Sequence, residues 1–328
     1  MPLAGLHVYS LFGEVSNRII LILLRSYGAV AGCGCLLLTY LRGRRLYGLR
    51  GGIVASLFLV TSPVFLRWSV ESHPDLPQLL CVCAFLWAVF RLSESPDLRV
   101  TTMAACFAGL AFNVKYVGLF LLPTLWLAIP LMGNGPLFVV SFRNFRQTKR
   151  WKILLSSLAV FGLVVAVTNP YALIKFDAFV TSLEAERSIM SFGHSFRGDG
   201  GALRWASQLG NLLGWVNVLV LLATADLFLR RPENLRSPVV VLLFWCLTYF
   251  SYLVVFFSLI RARHLLRLMP ALGIFCGGGY STLIDELSNK AGKRGAAAVL
   301  VAALAIAFFP NLRSSWVTLG SKIVDRED

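Results

Sequence analysis

The chain is a succession of apolar runs, each of about the length that crosses a hydrocarbon layer, separated by short segments rich in arginine and lysine. A bilayer core is roughly 30 Å thick, so about 20 apolar residues rising 1.5 Å each make a spanning helix. Within lipid every backbone polar group has to be satisfied inside the segment, which leaves the helix as the element for such runs. Candidate spans lie near residues 18–41, 52–70, 77–92, 102–114, 117–133, 153–169, 209–229, 238–259, 265–284 and 295–310. The expected fold is therefore an all-α polytopic membrane protein of about ten transmembrane or half-spanning helices. Segment 102–114 is too short to cross upright and reads as a broken or half-inserted helix. Hydrophobic residues make up 57% of the chain and charged residues 14%, proportions that a soluble domain of 328 residues could not hide from water.

A formal charge of +15 would suit a nucleic-acid partner if it formed a stripe on a folded basic domain. Instead the basic residues fall in short connections: Arg42, Arg44, Arg45 and Arg50, then Arg143, Arg146, Lys149, Arg150 and Lys152. Arg230, Arg231 and Arg236, then Lys290, Lys293 and Arg294, continue the pattern. Such loops face the cytoplasm, and no nucleic acid is expected. Asp75, Lys115, residues 170–208 and Arg261 to Arg267 then gather on the extracytoplasmic face of what is expected to be a plasma (inner) membrane protein. The expected organisation is one helical domain over 1–310, including an external amphipathic loop at 170–208, and an external polar tail at 311–328. All seven cysteines lie within the apolar runs, without zinc-site spacing, and imply no disulfide framework.

Ionisable groups at the ends of spans are costly and mark candidate sites. Asp75 stands in the turn Ser69-Val70-Glu71-Ser72-His73-Pro74-Asp75-Leu76-Pro77, where it caps a helix or serves a site, or both. Glu71 and His73 are ordinary interfacial residues or neighbours of that site, and His73 alone is weak warrant for a metal. Lys115 lies at the joint of two apolar segments, where it snorkels or meets an anionic head group. Arg261, Arg263 and Arg267 break the basic-inside pattern, and the i,i+4 spacing of the last two puts them on one helical face suited to phosphate. In the long external connection, Phe176, Phe179 and Leu183 alternate with Asp177, Glu184 and Arg187 as in a surface helix, and His194 lies in a glycine-rich loop beyond it.

Several pieces, taken in order, resemble the membrane core of the C-type glycosyltransferases related to protein O-mannosyltransferases and the lipid A aminoarabinose transferase. They are Arg25 with its small-residue helix, Arg44-Arg45-Leu46-Tyr47-Gly48, Pro63, Pro74-Asp75-Leu76-Pro77, Gly109 to Tyr116, Asn169-Pro170-Tyr171, and Arg263-His264-Leu265-Leu266-Arg267-Leu268-Met269-Pro270. The resemblance implies a cell-envelope enzyme that moves a sugar, with inversion, from a polyprenyl- or dolichyl-phosphate donor to a lipid, glycan or protein acceptor. It implies Asp75 as the catalytic carboxylate and Lys115, Arg261, Arg263 and Arg267 as the donor-phosphate site. Glu71, His73, Tyr116, Asn169, Tyr171 and His194 would then lie near substrate. No cofactor is required, although a divalent cation is compatible with the chemistry, and no metal ligands are assigned. The family's first helix and acidic external loop find no counterpart before Met1, so a truncated or inactive form is part of the expectation. A transporter or lipid flippase is the competing class, with mid-span charges and related halves as its signature.

Overall fold

The computed structural model describes residues 17–71, 73–94, 97–129, 150–191, 201–230, 237–257 and 260–324, and every regular element among them is helical. Helix α1 (Asn17–Val60) is broken at Tyr47 and Gly48, where Gly48 takes φ 75°. A side chain pays a steric penalty in that conformation and glycine does not, so the chain can double back. The two arms lie against each other, with Ser56 Oγ donating to the Leu36 carbonyl at 3.3 Å. The second arm stops at Val60 and α2 (Pro63–Val70) begins anew. Sequence reading expected one span over 52–70; the break comes from Pro63 at the first helical position and from Ser62, whose hydroxyl accepts from the Phe65 amide at 3.4 Å.

Helix α3 (Asp75–Glu94) is the most enclosed, with Leu76, Leu79, Phe85, Phe90 and Leu92 buried. It packs on α4 (Leu98–Val114), whose Ala104, Ala105, Ala108 and Ala111 permit close approach. At Lys115 the backbone is extended, a 3-10 turn follows over Tyr116–Phe120, and α5 (Leu121–Ala128) resumes. Beyond it come α6 (Arg150–Thr168), which packs on α4, then α7 (Pro170–Ile174) and α8 (Phe176–Ser191). Helices α9 (Gly201–Leu213) and α10 (Trp215–Arg230) meet at Gly214, and their apolar stretches bend by 111°. Next are α11 (Ser237–Phe256), the short α12 (Ala262–Leu265), a 3-10 turn over Leu266–Leu268, and α13 (Met269–Val324), interrupted at Gly292. Helix α13 continues through Pro310 to Val324, so the segment expected as a polar tail is helical over residues 311–324.

Four helices among the described residues are long and apolar enough to cross a membrane, or five if the bent pair counts as one span. Leu98–Val114, Gly118–Ala128 and Val301–Ser314 are shorter apolar helices. Helices α1 and α13 each carry two of the expected apolar runs, one on either side of a glycine break. The first and last helices hold the bundle together. At Gly277 even a methyl group would run into the Gly51 carbonyl, so glycine sets how near α13 comes to α1.

Candidate functional site: a buried carboxylate among basic side chains

The start of α3, the end of α4 and the start of α13 meet at one point. Asp75 opens α3, and its side chain is 1% exposed. Its Oδ1 accepts from Lys115 Nζ, and from Arg267 at 2.8 Å. His73 Nδ1 lies 2.9 Å from Oδ2, at ion-pair distance but off the line of a good hydrogen bond. The local sequence produces this arrangement. Pro74 precedes α3 and its carbonyl accepts the Gln78 amide, while an aspartate in the first turn suits the helix N-terminus. Lys115 is delivered by the extended break after Val114, so its side chain leaves the α4 axis toward Asp75.

Gln78 ties the three elements together. Its amide nitrogen donates to the Lys115 carbonyl at 3.1 Å, and its oxygen accepts from Arg267 Nε at 2.5 Å. Arg267 also reaches the Tyr249 hydroxyl at 3.3 Å, and that hydroxyl donates to the His264 carbonyl at 2.9 Å. A buried guanidinium survives because each face finds an acceptor. Lys115 lies outside the spanning segments; burial, then the nearby Arg267, lowers its ammonium to about 8, against the opposing pull of Asp75. His264 packs against Trp205 and Phe257, and burial, with Arg267 next, pushes it down to about 3. It is a neutral, structural imidazole at physiological pH.

At the rim, the His73 ring lies 4.5 Å from the Trp68 ring, and the guanidiniums of Arg67 and Arg263 sit over the same indole at 5.5 and 5.8 Å. Glu71 is engaged by Arg67 at 3.2 Å. Arg263 is half-buried and Arg261 exposed. Lys115, Arg263 and Arg267 thus face a single carboxylate, and positive charge exceeds negative by two.

Of the residues singled out in the sequence, Asp75, His73, Lys115 and Arg267 come together, and Arg263 stands beside them. Arg267 is only 2% exposed and engaged on all sides, which removes it from the group that could grasp a phosphate directly. Tyr116 points its ring at Phe112 and Phe179, linking α8 to the Lys115 segment. Asn169 precedes α7, and Tyr171 is exposed with Lys175 over its ring. His194 lies outside the described residues. Gln78, Tyr249 and Trp68 were missed, since a polar or aromatic residue inside an apolar helix carries no local mark of its partner. No group of three or more His, Cys, Asp or Glu side chains is gathered for a metal among the described residues, and a divalent ion at Asp75 would have to compete with two cations for Oδ1.

Residues 6–166, just under half of the chain, match the family described as dolichyl-phosphate-mannose-protein mannosyltransferase. No curated protein sequence matches. Among solved structures, the chain is similar to ArnT from Cupriavidus metallidurans bound to undecaprenyl phosphate, with TM-score 0.55 and 19% identity over 91% of this chain and 50% of that one. It is also similar to the apo oligosaccharyltransferase of Archaeoglobus fulgidus, with TM-score 0.57 and 15% identity over 94% of this chain and 46% of that one. The chain spans about half the length of these two proteins. What the helices define is a polytopic membrane protein. Its fold is that of these two polytopic membrane proteins, and its first half matches the mannosyltransferase family model.

Proposed function

We propose that this chain is the membrane core of an inverting glycosyltransferase that draws on a polyprenyl-phosphate-linked sugar, with the donor phosphate between Lys115 and Arg263. The carrying observation is the excess of positive charge around Asp75 at the ends of apolar helices. An anionic head group attached to a long apolar tail matches both features. The crystal structure of a fold relative with undecaprenyl phosphate bound supports that class of ligand. Clustering of the ionisable groups at helix ends favours this reading over a transporter, which places them near mid-span.

In the reaction, the acceptor oxygen bonds to the anomeric carbon as the bond from that carbon to the phosphate oxygen breaks. Negative charge grows on the departing phosphate, where Lys115 and Arg263 stabilise it. On this reading the acceptor is a lipid, glycan or protein group, and the basic-loop pattern supports a site on the extracytoplasmic face. Binding of undecaprenyl phosphate to the purified protein in detergent tests the reading. Lys115→Gln and Arg263→Gln are each expected to weaken binding about tenfold or more, the scale of one charge-assisted hydrogen bond, with thermal unfolding unchanged in Arg263→Gln. Full affinity in both variants overturns the phosphate assignment.

A further inference from the structure

We propose that His73, rather than Asp75, is the group that takes the proton from the acceptor, and that Asp75 is its buried orienting partner; this rests on the glycosyltransferase reading above. Asp75 is enclosed: its side chain is 1% exposed, and Lys115 and Arg267 occupy Oδ1. The other oxygen, Oδ2, is buried too and faces His73. An acceptor hydroxyl arriving from outside reaches His73 before it reaches either carboxylate oxygen.

His73 has the opposite character. Its side chain is 27% exposed, and it is the Nδ1 edge that is buried against Asp75. The two ring nitrogens of an imidazole point apart, so Nε2 is turned away from the carboxylate. A carboxylate behind Nδ1 keeps the proton there, leaves the Nε2 lone pair available, and stabilises the imidazolium that forms when Nε2 accepts a proton. The Trp68 ring lies tilted against the His73 ring at 4.5 Å, and Pro74 with the His73 amide bonded to the Glu71 carbonyl at 2.9 Å restrains the backbone. The off-line contact between Nδ1 and Oδ2 is of the kind that tightens when substrate is bound.

The placement also suits the displacement. Arg263 and His73 lie against the same indole, one as guanidinium and one as ring. Both groups thus border one aromatic side chain, and the proposal sets the phosphate on Arg263 and the acceptor hydroxyl on His73, with the anomeric carbon between them. The acceptor proton passes to Nε2, the acceptor oxygen bonds to the anomeric carbon, and the electron pair of the broken bond leaves on the polyprenyl phosphate. Charged neighbours on the packed elements are Asp75, Lys115, Arg263 and Arg267, with Glu71 held by Arg67.

Reconstituted protein is assayed with dolichyl-phosphate-mannose and, in parallel, undecaprenyl-phosphate-linked aminoarabinose, following free sugar released to water as the simplest hydroxyl acceptor. His73→Gln is expected to lower turnover about 100-fold, the low end for loss of a general base, while its affinity for undecaprenyl phosphate stays within twofold of the unaltered protein. Added imidazole is expected to restore turnover in His73→Gly and not in Lys115→Gln. Wild-type turnover in His73→Gln, or no imidazole rescue of a His73→Gly protein that unfolds at the normal temperature, overturns the role of His73 alone. No release of either sugar by the unaltered protein overturns the glycosyl-transfer reading itself.

Discussion

Among the described residues two arginines are withdrawn from water, Arg267 at 2% exposure and Arg42 at 6%, and their surroundings differ. Arg267 is matched by ions and dipoles: a carboxylate, an amide oxygen and a phenol surround it. Arg42 donates to the Trp87 carbonyl at 2.6 Å and lies over the rings of Trp87 and Phe90 at 5.1 and 5.3 Å. Aromatic faces and a helix carbonyl are among the partners that seat this cation, which lies in the first arm of α1. A carboxylate is another matter, because burying it is expensive and a single cation would neutralise it. The Asp75 end carries three basic side chains around one carboxylate, more than its neutralisation needs, and that excess is what the proposed phosphate site rests on.

The contrast can be broken at either end. Asp75→Ala should have the largest effect, destabilising the protein by about 3–5 kcal/mol in detergent, because it strands Arg267 with a buried and uncompensated charge. A loss under about 1 kcal/mol would mean that Gln78 and Tyr249 suffice to hold the guanidinium.

A smaller effect is expected in the affinity for undecaprenyl phosphate as pH changes. Lys115 is lowered from 10.5 to about 8, so its ammonium is intact below that pH and is lost above it. Affinity should fall about tenfold between pH 7 and pH 9, and titration calorimetry of Lys115→Gln should show a flat profile over the same interval. A fall that persists in the variant would assign the titration to another group.

Arg42→Gln should cost least, about 1–2 kcal/mol from the lost carbonyl bond and ring contacts. Thermal unfolding beside Asp75→Ala measures the difference directly. Equal losses would erase the distinction between the two arginines.

The sequence was legible where chemistry and surroundings clash. Asp75, Lys115 and Arg263 stand out as charges in an apolar text, and the structure brings them together. Arg267 was equally visible, but its i,i+4 spacing from Arg263 suggested a shared phosphate-binding face, whereas a 3-10 turn over Leu266–Leu268 intervenes and Arg267 points into the core. Helix breaks at Ser62 and Gly48 were underread, because hydropathy averages over the one or two residues that turn the chain. Tyr249 and Gln78 could not be recognised at all: their importance lies in partners from distant helices, and only packing reveals it.

Asp75 and Arg267 are 192 positions apart in the chain, while Lys115 follows Asp75 by 40. A ribosome adding about 5–20 residues per second makes Arg267 roughly 10–40 seconds after Asp75, and Lys115 within roughly 2–8 seconds. Lys115 is therefore available to the carboxylate first, and it stays bonded to Asp75 in the finished fold. Arg267 joins it only when the turn leading into α13 has been made, so the site is complete only after three distant parts of the chain have come together.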